Sequence, residues 1–306
     1  MAKPSGFSYD AVRIWHEVLG YTATILLLLM KFAICNEMFG DRPFADVFST
    51  VRELGYTGVE IAPFTLSPGA EPFDLRQVRA ERIVEVRTMA EDAGLEVIGL
   101  HWLLAKTDGY YLTSPDPTVR RRTADYFRLL AEVCADLGGT IMVLGSPKQR
   151  NLLPGVSYDD AESYATEVLH AAVPACAQFG VTIGIEPLGP AEGDFLLNAK
   201  AGIRLAEMVA SPHCKLHLDV KAMSSEGQPI GNIIRDSQEW LIHFHANDPN
   251  LLGPGMGEVD FRPIFAALKE INYSGWVSVE VFKYEPSPDE IARKSMEYMR
   301  QTLAEV

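Results

Sequence analysis

Residues 179–186 read Phe-Gly-Val-Thr-Ile-Gly-Ile-Glu, and this stretch contains the unit that repeats along the chain. A helical pattern ends at Phe179, and Gly180 supplies the left-handed residue that commonly closes a helix. An apolar, partly β-branched run follows and ends on the acidic Glu186, a pattern that indicates a buried strand with a polar end. The order of helix, glycine and strand recurs at three other glycines, namely Gly55, Gly94 and Gly138.

Eight such strands are predicted, at residues 31–35, 58–61, 96–100, 140–144, 181–186, 215–219, 241–245 and 276–280. Eight helical segments alternate with them, at residues 44–54, 75–93, 117–137, 159–179, 199–209, 230–237, 261–271 and 288–304. Eight strand–helix units in about 275 residues favour a (β/α)8 TIM barrel of the α/β class over a doubly wound sheet, which usually stops at five or six strands. No linker divides the chain, so we expect a single barrel domain over residues 30–306.

The first 29 residues do not continue this pattern, and we interpret residues 1–29 as a short N-terminal extension. Their apolar run, residues 24–30, is too short for a spanning helix, which needs about 20 apolar residues. The basic segment and cleavage site of a signal peptide are also missing, so we expect no membrane partner. The alternative is that this segment forms a helix packed on the bottom of the barrel.

Composition narrows the classes of partner. The 306 residues include 27 Lys and Arg against 41 Asp and Glu, for a net charge of −14. Because nonspecific nucleic-acid binding depends on basic residues, this charge argues against a nucleic-acid partner. The hydrophobic share of 47% supports a large core and excludes global disorder. The four cysteines are widely spaced, which favours buried thiols in a reducing compartment and a cytoplasmic protein.

Potential metal ligands stand at the ends of four consecutive predicted strands. Glu186 ends the fifth, Asp219 ends the sixth and Glu280 ends the eighth, while the seventh ends in His243-Phe244-His245. TIM-barrel enzymes carry their chemistry at these C-terminal strand ends. Three carboxylates at one mouth would repel one another unless a cation lies between them, and one imidazole completes an O,O,O,N ligand set. We expect one divalent metal ion, with Mn²⁺ first, Mg²⁺ or Co²⁺ next and Zn²⁺ as an alternative.

This order of Glu, Asp, His and Glu precedes two further motifs, Gly-Met-Gly-Glu-Val-Asp-Phe at 255–261 and Leu-Lys-Glu-Ile-Asn-Tyr-Ser-Gly-Trp at 268–276. Together they resemble the xylose-isomerase-like TIM-barrel superfamily over about residues 30–306. More narrowly, the sequence is similar to the sugar phosphate isomerase/epimerase group of D-tagatose 3-epimerase and inosose dehydratase and isomerase. The resemblance implies a metal bound by Glu186, Asp219, His245 and Glu280, and a homo-oligomer.

The resemblance implies a metal-dependent isomerase or epimerase that acts on a sugar, keto-sugar or cyclitol. Glu186 and Glu280 would be the catalytic acid and base, moving a proton through a metal-stabilised enediolate. A lyase that dehydrates an inosose or cleaves an oxidised glycoside is the alternative on the same scaffold. Ketose 3-epimerases carry a sugar-binding His and Arg where this sequence has Ala222 and Leu251, which argues against a free ketohexose as substrate.

The same scaffold also serves endonuclease IV-type repair enzymes, and a barrel can keep its metal only for structure or binding. The endonuclease needs more His and Asp ligands than this sequence offers, and the net charge of −14 opposes DNA binding. The paired glutamates at the ends of strands five and eight favour catalysis over a structural metal.

Further residues are predicted to contact the substrate or support the metal site. His101 and Trp102 follow the third strand, where an imidazole can bind a sugar hydroxyl and an indole can stack on the sugar. His217 shares a strand face with Asp219 and either supports the metal site or is a core histidine. The remaining candidates are charged residues whose alternative is an ordinary ion pair or solvated charge: Glu60, Lys148, Arg150 and Lys221.

Overall fold

In the computed structural model, which describes residues 30–306, eight parallel strands pair in sequence order and close into a barrel. The strands are β1 (Lys31–Cys35), β2 (Gly58–Ile61), β3 (Glu96–Leu100), β4 (Ile141–Leu144), β5 (Thr182–Ile185), β6 (Cys214–Asp219), β7 (Leu241–Ala246) and β8 (Trp276–Val279). Pairing of β8 with β1 closes the ring. The predicted (β/α)8 TIM barrel is confirmed, while the interpretation of residues 1–29 lies outside the described residues.

Helices follow the strands around the outside of the barrel. They are α1 (Phe44–Glu53), α2 (Ala80–Asp92), α3 (Pro117–Asp136), α4 (Tyr158–Phe179), α5 (Ala199–Val209), α6 (Val220–Met223), α7 (Ile230–Asp236), α8 (Arg262–Glu270) and α9 (Pro288–Ala304). The short α6 is an addition to the predicted set. Within residues 30–306, no helix combines the length and apolar character needed to cross a bilayer.

Local sequence explains several helix boundaries. Asp116 accepts a hydrogen bond from the backbone N–H of Thr118, and Pro117 occupies the first turn, so α3 begins there. Gly180 adopts φ of 69° and closes α4, as its position in the repeated unit predicts. The helix predicted over 75–93 is interrupted, because residues 78 and 79 are extended between a 3-10 turn at Leu75–Gln77 and α2.

The interior of the barrel changes from apolar to polar toward the C-terminal ends of the strands. Ala33, Ile98 and Trp276 form a small apolar cluster separate from the main core. Residues two positions apart share a strand face, so His217 lies below Asp219 and His243 lies below His245. A layer of buried polar side chains therefore underlies the mouth of the barrel.

Candidate metal centre

The four residues predicted to bind metal come together at the C-terminal end of the barrel. Glu186 and Glu280 directly follow β5 and β8, Asp219 ends β6, and His245 is the penultimate residue of β7. One potential ligand atom from each lies within 4.8 Å of the others, and all four side chains are buried. Three carboxylates and an imidazole at this spacing fit a hard or borderline divalent cation.

The two glutamates of this set have opposite electrostatic surroundings. Burial, followed by repulsion from Glu280 and Asp219, raises the pKa of Glu186 well above its ordinary value. Burial also opposes ionisation of Glu280, but the charges and hydrogen bonds of His245 and His101 outweigh it and hold its pKa well below the ordinary value. The protein's own charges therefore act in opposite directions on the two glutamates, and a cation among the three carboxylates would offset the repulsion at Glu186.

Asp219 is held by hydrogen bonds to both of its carboxylate oxygens. Its Oδ1 accepts from the backbone N–H of Ala222 at 2.8 Å, and its Oδ2 accepts from Nδ2 of Asn247 at 2.5 Å. Asn247 in turn accepts the backbone N–H of Lys221 at 2.8 Å. Asn247 was not predicted from the sequence, although its position two residues after His245 was a usable signal.

His101 and Trp102 both reach the site through Glu280. The indole N–H of Trp102 donates to Oε1 of Glu280 at 2.7 Å, and Nδ1 of His101 lies 3.5 Å from the same oxygen. On its other side, Nε2 of His101 lies 3.1 Å from Glu37, a residue not singled out from the sequence. His101 is fully buried, whereas Trp102 is half-buried and stacks against Phe282 at an interplanar angle of 18°.

The basic loop after β4 divides into one exposed and one buried cation. Lys148 is exposed and lines the cavity beside the glutamates. Arg150 is only 1% exposed, and its Nη1 donates to the carbonyl oxygen of Leu144 at 3.0 Å. Burial lowers the pKa of Arg150 to about 10. Lys148 therefore presents its charge to the cavity and solvent, whereas Arg150 is a buried side chain that holds the loop against β4.

Lys221 lies at the edge of the site and forms an ion pair with Glu192, a carboxylate outside the proposed metal-ligand set. Its Nζ is 2.6 Å from Oε1 of Glu192 and 3.7 Å from the centroid of the Phe282 ring. Burial disfavours its charge, but Asp219 and Glu192 outweigh this effect and raise its pKa. Glu192, which also lines the cavity, was not selected from the sequence.

Glu60 and His217 lie beneath the metal-ligand residues, inside the barrel. Oε2 of Glu60 is 3.0 Å from Nε2 of His243 and 3.0 Å from Nε2 of His245. Burial opposes ionisation of Glu60, but the two histidines outweigh it and hold its pKa well below the ordinary value. The ring of His217 lies 4.1 Å from that of His245, centroid to centroid, and burial together with the charge of the neighbouring histidines lowers its pKa.

A cavity of about 360 Å³ opens onto Glu186 and Glu280. This volume falls within the range of small-molecule sites, about 300–1,000 Å³. Its remaining wall combines apolar and polar side chains: Trp102, Ala105, Lys106, Ser146, Pro147, Lys148, Gln149, Leu188, Glu192 and Phe282. Gly145 completes the wall, and a β-carbon at that position would collide with Oε2 of Glu186.

Comparison with known proteins agrees with this architecture. The sequence model of the xylose isomerase-like TIM barrel family matches residues 48–302. The chain belongs to this family. Among its xylose isomerase-like relatives, fructoselysine 3-epimerase of Escherichia coli O157:H7 is 24% identical over 276 residues, covering 86% of this chain and 94% of the relative. D-psicose 3-epimerase of Agrobacterium fabrum is 32% identical over 243 residues, covering 78% of this chain and 79% of the relative.

Solved structures of two sugar epimerases share the fold. The apo form of 3-keto-D-glucoside 4-epimerase from E. coli superimposes with a TM-score of 0.77 at 21% identity, covering 89% of this chain and 100% of that one. D-psicose 3-epimerase from Clostridium cellulolyticum, solved with D-tagatose, gives a TM-score of 0.77 at 20% identity, covering 89% and 98% of the two chains. The resemblance expected from the sequence is confirmed, and the chain groups with sugar epimerases.

Proposed function

We propose that this protein is a divalent-metal-dependent epimerase or isomerase of a keto-sugar or cyclitol. The observation that carries the proposal is the convergence of Glu186, Asp219, His245 and Glu280 at a buried barrel mouth that opens into a small-molecule cavity. Family membership and the epimerases among its relatives support the same reaction class. We expect Mn²⁺ as the cation and a cytoplasmic homo-oligomer as the working form.

The two glutamates divide the proton transfer between them. A divalent cation held by these four residues would supply Lewis-acid chemistry, making the C–H bond on the hydroxyl-bearing carbon next to a carbonyl more acidic and stabilising the enediolate left when the proton leaves. Glu280, whose Oε1 accepts the indole N–H of Trp102, is suited to accept the proton. Glu186 follows β5, which is not a neighbour of β8, so it is placed to return a proton from another side, and the roles exchange in the reverse direction.

Three side chains surround the carboxylate of Glu280 and restrict its rotation, and one of them, Trp102, donates a hydrogen bond to it. Trp102 and His101 contact Oε1, while Nδ1 of His245 lies 3.1 Å from Oε2. A general base must lie within hydrogen-bond reach of the proton that it removes, and a fixed carboxylate satisfies this more often than a mobile one. The network therefore supports Glu280 as the residue that begins the reaction.

The cavity wall bears on the choice of substrate. Ala222 and Leu251 occupy positions at which ketose 3-epimerases carry sugar-binding side chains, and the wall instead offers Trp102, Pro147 and Phe282. A keto-sugar that carries a further substituent, or a cyclitol, suits this wall better than a free ketohexose. The solved 3-keto-D-glucoside 4-epimerase is a relative whose named substrate has such a substituent.

The experiment that tests the proposal is a substrate panel followed by NMR in D₂O. Mn²⁺-loaded protein is incubated with 3-keto-glycosides, inososes and ketohexoses. Epimerisation or isomerisation predicts a new stereoisomer or positional isomer that carries deuterium at the reacting carbon. An unsaturated product with release of water or a glycosyl group would instead identify a lyase, and inactivity on every member of the panel would oppose the proposal.

A further inference from the structure

Glu60 occupies an unusual position for a carboxylate, one layer below the barrel mouth. It lies on β2, is 0% exposed, and its Oε1 has no hydrogen-bond partner among residues 30–306. All its contacts are made through Oε2, to Nε2 of His243 and Nε2 of His245 at 3.0 Å each and to Sγ of Cys35 at 3.5 Å. The side chain is not part of the cavity wall described above.

Stability does not explain this arrangement. Burial of a carboxylate is costly, and an apolar replacement for a buried ionic group is often neutral or stabilising. Within the described part of the chain, the ion-pair partners of Glu60 are the two histidines rather than an arginine or lysine. Glu60 thus keeps one carboxylate oxygen without a partner among the described residues, and its other oxygen contacts the histidines of β7, one of which is the proposed ligand His245.

The hydrogen-bond geometry places a hydrogen on Nε2 of His245. A carboxylate has only acceptors, so each Nε2 atom that contacts Oε2 of Glu60 must carry the hydrogen. An imidazole that binds a metal is neutral, so with hydrogen on Nε2 its lone pair lies on Nδ1. Nδ1 of His245 is the atom that faces Glu280, at 3.1 Å, on the side of the proposed metal ligands.

We propose that Glu60 is a positioning residue that holds His245 in the tautomer with hydrogen on Nε2 and directs Nδ1 toward the cation. His243 braces Glu60 from the same strand as His245, so the carboxylate cannot rotate without breaking two contacts. The inference rests on the metal centre of the proposed function. Such outer carboxylates are commonly worth 10- to 100-fold in metal affinity.

The test compares Mn²⁺ affinity in Glu60→Gln and wild type by isothermal titration calorimetry. The glutamine keeps the size of the side chain and a carbonyl oxygen that can accept from the imidazoles, but it removes the negative charge that favours hydrogen on Nε2 and raises the basicity of Nδ1. We expect Kd to rise about 10- to 100-fold. The matched control is Glu162→Gln, which removes a carboxylate that is 1% exposed but pairs with Arg204 on the outer helices. Its Kd for Mn²⁺ is expected to stay within threefold of wild type.

A second measurement needs no variant and decides the matter if Glu60→Gln fails to fold. In Zn²⁺-loaded wild type with ¹⁵N-labelled histidine, NMR should show hydrogen on Nε2 of His245 and none on Nδ1. The reverse tautomer, or a Glu60→Gln affinity within threefold of wild type in a folded protein, would overturn the positioning role and leave the metal centre standing. Wild type that binds no divalent metal would overturn the proposed function as well.

Discussion

Trp102 donates its indole N–H to Oε1 of Glu280 across 2.7 Å, which ties an aromatic side chain of the cavity wall to a proposed acid–base residue. The backbone of Trp102 adopts φ of 51°, in the left-handed region that bulky residues rarely enter. Such strain costs about 1–3 kcal/mol and persists where the surroundings overdetermine it. Here two contacts hold Trp102 in this conformation, the hydrogen bond to Glu280 and the stacking on Phe282.

Trp102→Phe should therefore lower turnover while keeping the fold. The phenylalanine preserves most of the aromatic packing but loses the hydrogen bond to Glu280, and a bond to a charged group is worth about 1.5–3 kcal/mol. We expect kcat to fall about tenfold or more, with Mn²⁺ affinity nearly unchanged. Steady-state kinetics and calorimetry check this, and a kcat equal to that of wild type would show that Glu280 does not need the indole.

Glu186→Gln and Glu280→Gln should each lower turnover by about 100-fold or more, because each removes a positioned acid or base. The amide oxygen can still serve as a ligand, so we expect some metal binding to persist. Glu132→Gln, which changes an exposed carboxylate on α3, is the control and should retain full activity. Full activity in either active-site variant, or product without solvent deuterium, would favour a hydride shift over proton transfer.

The protein should bind about one divalent metal ion per chain at the four-residue centre. Removal of two ligands in Asp219→Ala/His245→Ala should abolish stoichiometric binding, because a carboxylate-rich site with half its donors holds its cation weakly. Elemental analysis of chelator-treated, Mn²⁺-reloaded protein measures this. Equal metal content in wild type and the double variant would place the metal elsewhere.

Asn247→Ala should weaken the same centre by a smaller amount. The substitution removes the donor to Oδ2 of Asp219 and leaves the backbone N–H of Ala222 as its remaining hydrogen bond. Loss of such support from a ligating carboxylate predicts an increase of about tenfold in the Kd for Mn²⁺. Calorimetry of the variant and of wild type measures this. An unchanged Kd would mean that the hydrogen bond from the backbone N–H of Ala222 is enough to orient Asp219.

The buried thiols should be inert in the folded protein. Burial raises the pKa of Cys176 to about 11 and that of Cys214 to about 12. At pH 8 these thiols stay protonated and resist an aromatic disulfide reagent, which attacks thiolates. All four cysteines should react after unfolding in guanidinium. Because the folded-state pKa values are raised, their contribution to stability is complete below about pH 8.5 and is lost as pH rises above it.

The sequence predicted the barrel well because each strand is a short buried apolar run between polar or glycine-containing segments. The predicted strand ends at Glu186 and Glu280 extend one residue beyond β5 and β8, since these side chains follow the last strand residue. The helix predicted over 75–93 was wrong at its start. There, Asp74 accepts the backbone N–H of Arg76 and forms a separate turn that competes with the helix.

The site was less fully predictable, because several of its contacts depend on how loops fold back. Glu37 follows β1 in a segment without a periodic pattern, so nothing local indicated that it would reach His101, and Asn247 is marked only by its position two residues after His245. The burial of Arg150 is likewise a tertiary effect, since its loop reads as solvated and basic in sequence. The strand-end carboxylates were easier, because parallel strands in a barrel bring their ends to one place.

Gly145 makes the sequence of the loop after β4 depend on the position of Glu186 after β5. Any side chain at this position would occupy the space of Oε2 of Glu186, so the loop after β4 and the ligand after β5 cannot change independently. During evolution, a substitution at 145 has to be accompanied by a displaced or replaced glutamate. Relatives that carry a larger residue here are thus expected to hold this carboxylate in a different position, and this one site offers a way to compare the geometry of the centre among family members before any of them is assayed.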